Sequence, residues 1–152
     1  MADITLLKKL REETAASIAD CRRALDESNN DYKKALEWIK KHGVEKAAKK
    51  EGRETGQGIV TSYIHAGGRV GVLLELACET DFVAKTADFQ NLAKEVSMQV
   101  AAMNPKDVDA LLKQEYIRDP KLTISDVVKG VIATLGENIK VKKFQRFEVG
   151  SD

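Results

Sequence analysis

The residues predict an α+β protein of two parts, a small helical module followed by an antiparallel sheet packed with helices. Three observations carry this. Residues 1 to 43 hold three short helical patterns separated by stop signals, the apolar period drops to two from Gly58, and two strongly periodic helices precede a last strand. At 152 residues there is room for a small domain beside a moderate one. The 25 basic and 24 acidic side chains leave a net charge of +1, which argues against a general binder of nucleic acid or anionic membrane. Recognition of a partner must then rest on shape. No signal peptide is evident, and the longest apolar run, Val70 to Cys78, is broken by Glu75, so the chain reads as soluble and intracellular. Cys21 and Cys78 are too few for a disulfide framework and lie in no metal-ligand spacing, and both are expected to be reduced and buried.

In the first helix Ile4, Leu7 and Leu10 share a face, and Thr14-Ala15-Ala16-Ser17 interrupts the run. Ser17 caps the second helix with Asp20 in the acidic capping-box position, and Ile18, Cys21, Ala24 and Leu25 form its inner face. Ser28-Asn29-Asn30-Asp31 is a turn and cap. The third helix carries Tyr32, Ala35, Leu36 and Ile39 inward, gathers Lys40, Lys41 and His42 at its negative end, and is predicted to stop at Gly43. Trp38 lies off that stripe and is expected to lap the bundle edge, with contact to a partner as the alternative. So small a bundle has a thin core, which favours recognition over catalysis. Residues 44 to 57 lose the period and mix charge with glycine, a part-helical linker whose Lys46, Lys49, Lys50 and Arg53 are interleaved with glutamates.

The core, 58 to 152, opens with a hairpin turning at Gly67-Gly68. Closing it there pairs His65 with Val70 and Ile59 with Leu76, and puts Ile59, Tyr63, Val72, Leu74 and Leu76 on one face with Glu75 on the other. A rigid strand-to-helix corner follows, because Thr80 is a good N-cap and Asp81 suits the positive end of the helix dipole. Phe82 sits on this corner with little core to enter. Two readings stand for it, a wedge for a partner protein or a plug for the corner. Phe89, by contrast, heads a core stripe with Leu92, Ala93, Val96, Val100 and Met103 on a helix running from Lys85 to Met103, closed by Asn104-Pro105. A short helix carries Val108, Leu111 and Leu112. The next is capped by Thr123 and Asp126, keeps Ile124, Val127, Val128, Val131, Ile132 and Leu135 on one face, and ends at Gly136. The last strand, Asn138 to Val149, has Phe144 out of phase with Ile139 and Val141, so a bulge is predicted near Lys142-Lys143.

An enzyme would have to start from His65 and Cys78, the one His/Cys pair within a single element. Cys78 lies eight positions beyond Val70, the partner of His65, and that length of strand spans roughly 26 Å. No dyad can form, and no P-loop, dinucleotide glycines, zinc spacing or nucleophile elbow is present. His42 has no partner in view beyond the helix dipole. The chain is expected to bind rather than transform, with no catalytic residue, no metal site and no cofactor.

Four blocks in order resemble the elongation factor Ts family, and together they span nearly the whole chain. They are Thr14 to Leu25, read as Thr-x-Ala-x-x-x-Asp-Cys-x-x-Ala-Leu; Lys46-Ala47-Ala48-Lys49-Lys50; Cys78-Glu79-Thr80-Asp81-Phe82-Val83-Ala84; and Gly136-Glu137-Asn138-Ile139. The resemblance implies a guanine-nucleotide exchange factor for elongation factor Tu that acts in translation elongation by displacing magnesium and so promoting GDP release. It implies a ubiquitin-associated-like N-terminal fold that docks through Arg11 and Ile18, and it assigns magnesium dislocation to Thr80, Asp81, Phe82 and Val83. The partner would be the GDP- or GTP-bound GTPase, with no direct nucleic acid and no membrane, in a bacterial-type cytoplasm or an organelle; self-association is left open. Two departures stand out. Many members read Thr-Gly-x-Gly-Met-Met-Asp-Cys where this chain has Thr14-Ala15-Ala16-Ser17-Ile18-Ala19-Asp20-Cys21, and the stretch between Met103 and Leu111 is short for the family. The rival function is an adaptor binding helical or ubiquitin-like partners through residues 1 to 43, which would not need the Thr80 to Val83 corner. A weaker rival, an RNA-binding translation accessory, is disfavoured by the near-zero net charge.

Overall fold

The computed structural model describes residues 1–151. Three helices come first, α1 (Ile4–Thr14), α2 (Ile18–Glu27) and α3 (Tyr32–Lys50). The starts of α2 and α3 are built as the residues predict, since Ser17 accepts from the Asp20 amide and Asp31 from that of Lys34, and Asp3 caps α1. Ala15 in the left-handed region ends α1, and Asn29 and Asn30, also left-handed, make the turn before α3. The bundle buries Leu10, Cys21, Ala24, Leu25 and Ala35, a thin core that Leu6, Leu7, Tyr32, Leu36 and Ile39 cover. Trp38 laps its edge, donating to Glu27 at 2.7 Å and stacking on His42. Ile4 and Ile18, expected inward, are exposed, because α1 and α2 meet through Leu10, Cys21 and Leu25 instead.

Gly43 does not end α3, which runs on for seven more residues. The position faces a later helix, and no contact there demands glycine: a Cβ added at Gly43 would lie 3.5 Å from the Cβ of Ala133, an ordinary contact that an alanine could make. His42 is likewise not at a helix end, and its ring nitrogens face Asp20 at 3.5 Å and Glu45 at 4.0 Å. Asp20 makes no reciprocal capping box. Its carboxylate turns instead to the Lys46 ammonium, tying α2 to the second half of α3.

β1 (Gln57–Ile64) and β2 (Val70–Cys78) form the hairpin in the expected register, Ile59 opposite Leu76 and Tyr63 opposite Val72, with the His65 amide donating to the Val70 carbonyl. The helical stretch after it is divided. α4 (Asp81–Ala84) is a single turn, and α5 (Ala87–Met103) starts afresh on its own cap, the Thr86 hydroxyl accepting from the Phe89 amide. Phe89, Leu92, Ala93, Val96 and Val100 of α5 form the centre of the core against Leu74 and Leu76, while Met103 is half exposed beyond the sheet. α6 (Val108–Lys113) follows Pro105 and buries Leu111. Unforeseen in the sequence is a small ladder of β3 (Glu115–Tyr116) with β4 (Asp119–Thr123), held to α5 by Gln99, whose amide binds Glu115 and Ile117, and by Glu95, which accepts from Tyr116.

α7 (Ile124–Leu135) carries the one full capping box among the described residues, Thr123 with Asp126, and stops at Gly136 with φ 76°. Its face packs into the core and against α3, so α7 joins bundle and sheet. β5 (Lys140–Glu148) completes a three-stranded antiparallel sheet in the order β1-β2-β5. The bulge lies where the side-chain pattern puts it: Glu75 pairs with Lys143 and Leu76 with Val141, leaving Lys142 unpaired. Helices cover one face of the sheet. The other carries exposed Val60, Ile64, Leu73 and Phe147. No described helix is long and apolar enough to cross a membrane.

Candidate functional site

The corner between β2 and α4 is built from four segments. Apolar burial fixes its floor, since Cys78, Val83 and Ala84 are all buried. On that floor the Thr80 hydroxyl accepts the Val83 amide at 3.2 Å and starts α4. Three backbone bonds, all at 3.0 to 3.3 Å, close this turn and the step into α5: Ala84 to Thr80, Lys85 to Phe82 and Thr86 to Val83. Phe82 is then thrown outward and is 82% exposed. It plugs nothing.

Asp81 stands beside it, also exposed, in an ion pair of 2.8 Å with Lys85 one turn on. That bond raises the Lys85 pKa, but both groups lie in water and the pair is weak enough to exchange for another partner. Val83, assigned with Thr80, Asp81 and Phe82 to the partner contact, is only 6% exposed. Its side chain anchors the corner from below and presents no surface, because the helical turn that turns Phe82 out must turn Val83 in. The exposed apolar-acidic tip is therefore Asp81-Phe82, with Thr80 holding its base.

Residues that the pattern of the sequence did not single out support this tip. One carboxylate oxygen of Glu137 accepts the amides of both Glu79 (3.1 Å) and Thr80 (3.0 Å), and the other accepts the Thr80 hydroxyl at 2.7 Å. Glu79 reciprocates, taking the Asn138 amide at 2.6 Å and the Arg53 guanidinium at 2.8 Å. Asn138, 2% exposed, spends its side-chain amide on the carbonyls of Glu51 and Arg53. Burial pushes the Cys78 thiol up, and the negative charge of Glu137 adds to it, so Cys78 stays an unreactive thiol bonded to the Thr80 carbonyl. Glu79, Glu137 and Asn138 stand in two of the blocks that carry the family resemblance, but no period or spacing in the sequence joins those blocks to each other.

Arg11 and Ile18 lie on the other part of the molecule, flanking the turn from α1 to α2. Arg11 reaches back to the Ala16 carbonyl at 3.4 Å, and Ile18 is 50% exposed on the first turn of α2. Arg11 also borders a cleft of about 730 Å³ between the bundle and the core, lined further by Asp20, His42, Asn91, Tyr116 and Val131. Ile18 and Phe82 are outside this cleft. The structure thus presents two separate exposed patches, a docking candidate on the bundle and an acidic-aromatic tip on the core. Among the described residues no group of His, Cys, Asp and Glu is arranged to hold a metal ion.

Comparison with known proteins gives one answer throughout. A family model described as Elongation factor TS matches residues 79–152. A protein named Elongation factor Ts from Nitratidesulfovibrio vulgaris is 38% identical over 192 aligned positions, covering 97% of this chain and 96% of its own length. Those of Caldanaerobacter subterraneus (40%; 99% and 98%) and Synechococcus elongatus (39%; 99% and 90%) are similar to the same extent. The first alignment runs over about 45 more positions than the residues of this chain that it contains, so that relative carries a segment this chain lacks.

Proposed function

The chain belongs to the elongation factor Ts family, which makes it a translation elongation factor, and from that membership and the Asp81-Phe82 tip we propose that it is the guanine-nucleotide exchange factor of elongation factor Tu. The observation that carries the mechanism is a large aromatic ring, 82% exposed, at a corner whose cap at Thr80 is tied down from both sides. Exposing such a ring costs solvation and is useful where a partner supplies the cavity.

In the proposed mechanism the bundle docks first, through Arg11 and Ile18, and the core then brings its corner to the nucleotide site. Phe82 enters a gap between elements of the GTPase and holds them apart. Asp81 leaves Lys85 for polar groups near the magnesium. That ion bridges the phosphates of the nucleotide and the side chains of the GTPase, so moving the groups that hold it leaves the phosphates poorly neutralised and lowers the barrier to release. Thr80 and Val83 act from below, the first as cap and the second as anchor. No covalent chemistry is involved and the factor itself needs no cofactor, nucleic acid or membrane. The division into residues 1 to 43, a 44 to 57 connector and a 58 to 152 core is kept as a division of labour, and the place of work is the cytoplasm. The segment missing relative to longer relatives is assigned to the stretch between Met103 and Leu111.

Mixing the protein with elongation factor Tu carrying fluorescent GDP tests the reading. Release is expected to accelerate with factor concentration, for GDP and GTP alike, and nucleotide is expected to weaken factor binding by the same coupling free energy. Substituting Arg11 or Ile18 by Ala should raise the half-saturating concentration several-fold at an unchanged maximal rate. A release rate that ignores the factor would end the proposal.

A further inference from the structure

We propose that Glu137 is a positioning residue for exchange, setting the direction in which the corner presents Phe82; this rests on the exchange function proposed above. α4 has four residues and so cannot orient itself, since a single helical turn fixes its dihedrals for very few hydrogen bonds of its own. Its direction must come from outside. From the core side Val83 and Ala84 anchor it by burial, which sets depth but leaves rotation about the strand end open.

Rotation is what Glu137 removes. Its two oxygens take three donors on two consecutive residues, the Glu79 and Thr80 amides and the Thr80 hydroxyl, a grip that fixes both the backbone plane and the Thr80 rotamer. The hydroxyl that donates to Glu137 is the one that accepts the Val83 amide, so the carboxylate and the first turn of α4 share a single oxygen. Glu137 is held in turn. It follows the left-handed Gly136 that ends α7, and Asn138 beside it is bonded to Glu79, Glu51 and Arg53. The clip therefore ties α4 to the end of α7, 57 residues away in sequence. All three gripped donors lie at or near the surface, where water can replace an acceptor. Loss of the clip should loosen direction much more than it loosens the fold.

The test measures fluorescent-GDP release from elongation factor Tu against factor concentration for the native protein, Glu137→Gln, Phe82→Ala and the double variant, with thermal unfolding of each and amide hydrogen exchange at Thr80 and Val83. Gln keeps the size but turns one of the two acceptors into a donor. Glu137→Gln is expected to cut the maximal release rate three- to tenfold at unchanged half-saturation, to speed amide exchange at the corner, and to have no further effect once Phe82 is Ala. Thr80→Val should reproduce the loss and Thr80→Ser should restore it, which keeps the test alive if Glu137→Gln folds poorly. The inference is overturned if Phe82→Ala slows release while Glu137→Gln and Thr80→Val do not, or if the two losses simply multiply in the double variant. If Phe82→Ala itself leaves release unchanged, the exchange reading of the corner is what has failed.

Discussion

Two phenylalanines seven positions apart do opposite work. Phe89 is fully buried in the centre of the core, whereas Phe82 is 82% exposed on α4. Truncating a packed Phe costs about 3 to 5 kcal/mol, so Phe89→Ala should lower the unfolding midpoint clearly and Phe82→Ala should leave it nearly unchanged. In nucleotide release the order should reverse, with Phe82→Ala slower about tenfold if some 1.4 kcal/mol of wedge energy reaches the barrier. A Phe82→Ala protein that unfolds yet exchanges normally per folded molecule would disprove the assignment. Asp20 offers a second measurement. Burial pushes its carboxyl up, but the bonds from Lys46 and Ser17 and the charges of Lys46 and His42 outweigh it and hold it below its ordinary value of 3.8. A carboxylate lowered on folding adds stability above its unfolded pKa and loses it as pH falls through the folded one. The midpoint difference between the native protein and Asp20→Asn should therefore be full at neutral pH and close below pH 3.8.

At the scale of elements, α3 and β5 make the sharpest statements. Gly43 is helical, and a methyl there meets Ala133 at ordinary contact distance, so Gly43→Ala should stabilise by up to about 1 kcal/mol through helix propensity, read as a higher unfolding midpoint. A larger side chain should separate α3 from α7. In β5, removing Lys142 would leave Val141 opposite Leu76 and Lys143 opposite Glu75 in an unbroken ladder with every side chain on its present face. Deleting Lys142 should thus be tolerated, while deleting Phe144 should unfold the sheet edge; circular dichroism melts of the two would tell. The register of the hairpin, the bulge and the α7 capping box were legible because each rests on a local rule with one solution. Gly43 misled because a glycine can end a helix in the left-handed region or simply sit inside one, and only the packing of α3 along α7 shows that the helix runs on. The β3-β4 ladder was invisible because two paired residues have no period, and the Glu137 clip because its partners lie 57 and 58 positions away. The corner cap was legible from adjacent residues, the outward Phe82 only as one of two readings, and the inward turn of Val83 not at all.

For the whole molecule the decisive connection is α3, one helix that begins in the bundle at Tyr32 and ends against the core at Lys50. Its 19 residues make a rod of about 28 Å, gripped by Asp20 through Lys46 on one side and by α7 on the other. A cut at Gly43 would divide that rod, so the separate roles of the two parts are better probed by point substitution than by truncation. A rod also has a phase. One residue inserted after Ile39 would turn the bundle by about 100° and advance it by about 1.5 Å relative to the core, leaving both patches chemically intact but pointing in different directions. Such a protein should still hold its GTPase by either patch and yet release nucleotide poorly, whereas four inserted residues, a little over one full turn, should bring much of the rate back. Exchange activity plotted against the number of residues inserted would then rise and fall with the pitch of a helix, and that oscillation would mark the factor as a rigid gauge whose two points must meet the partner at a set angle.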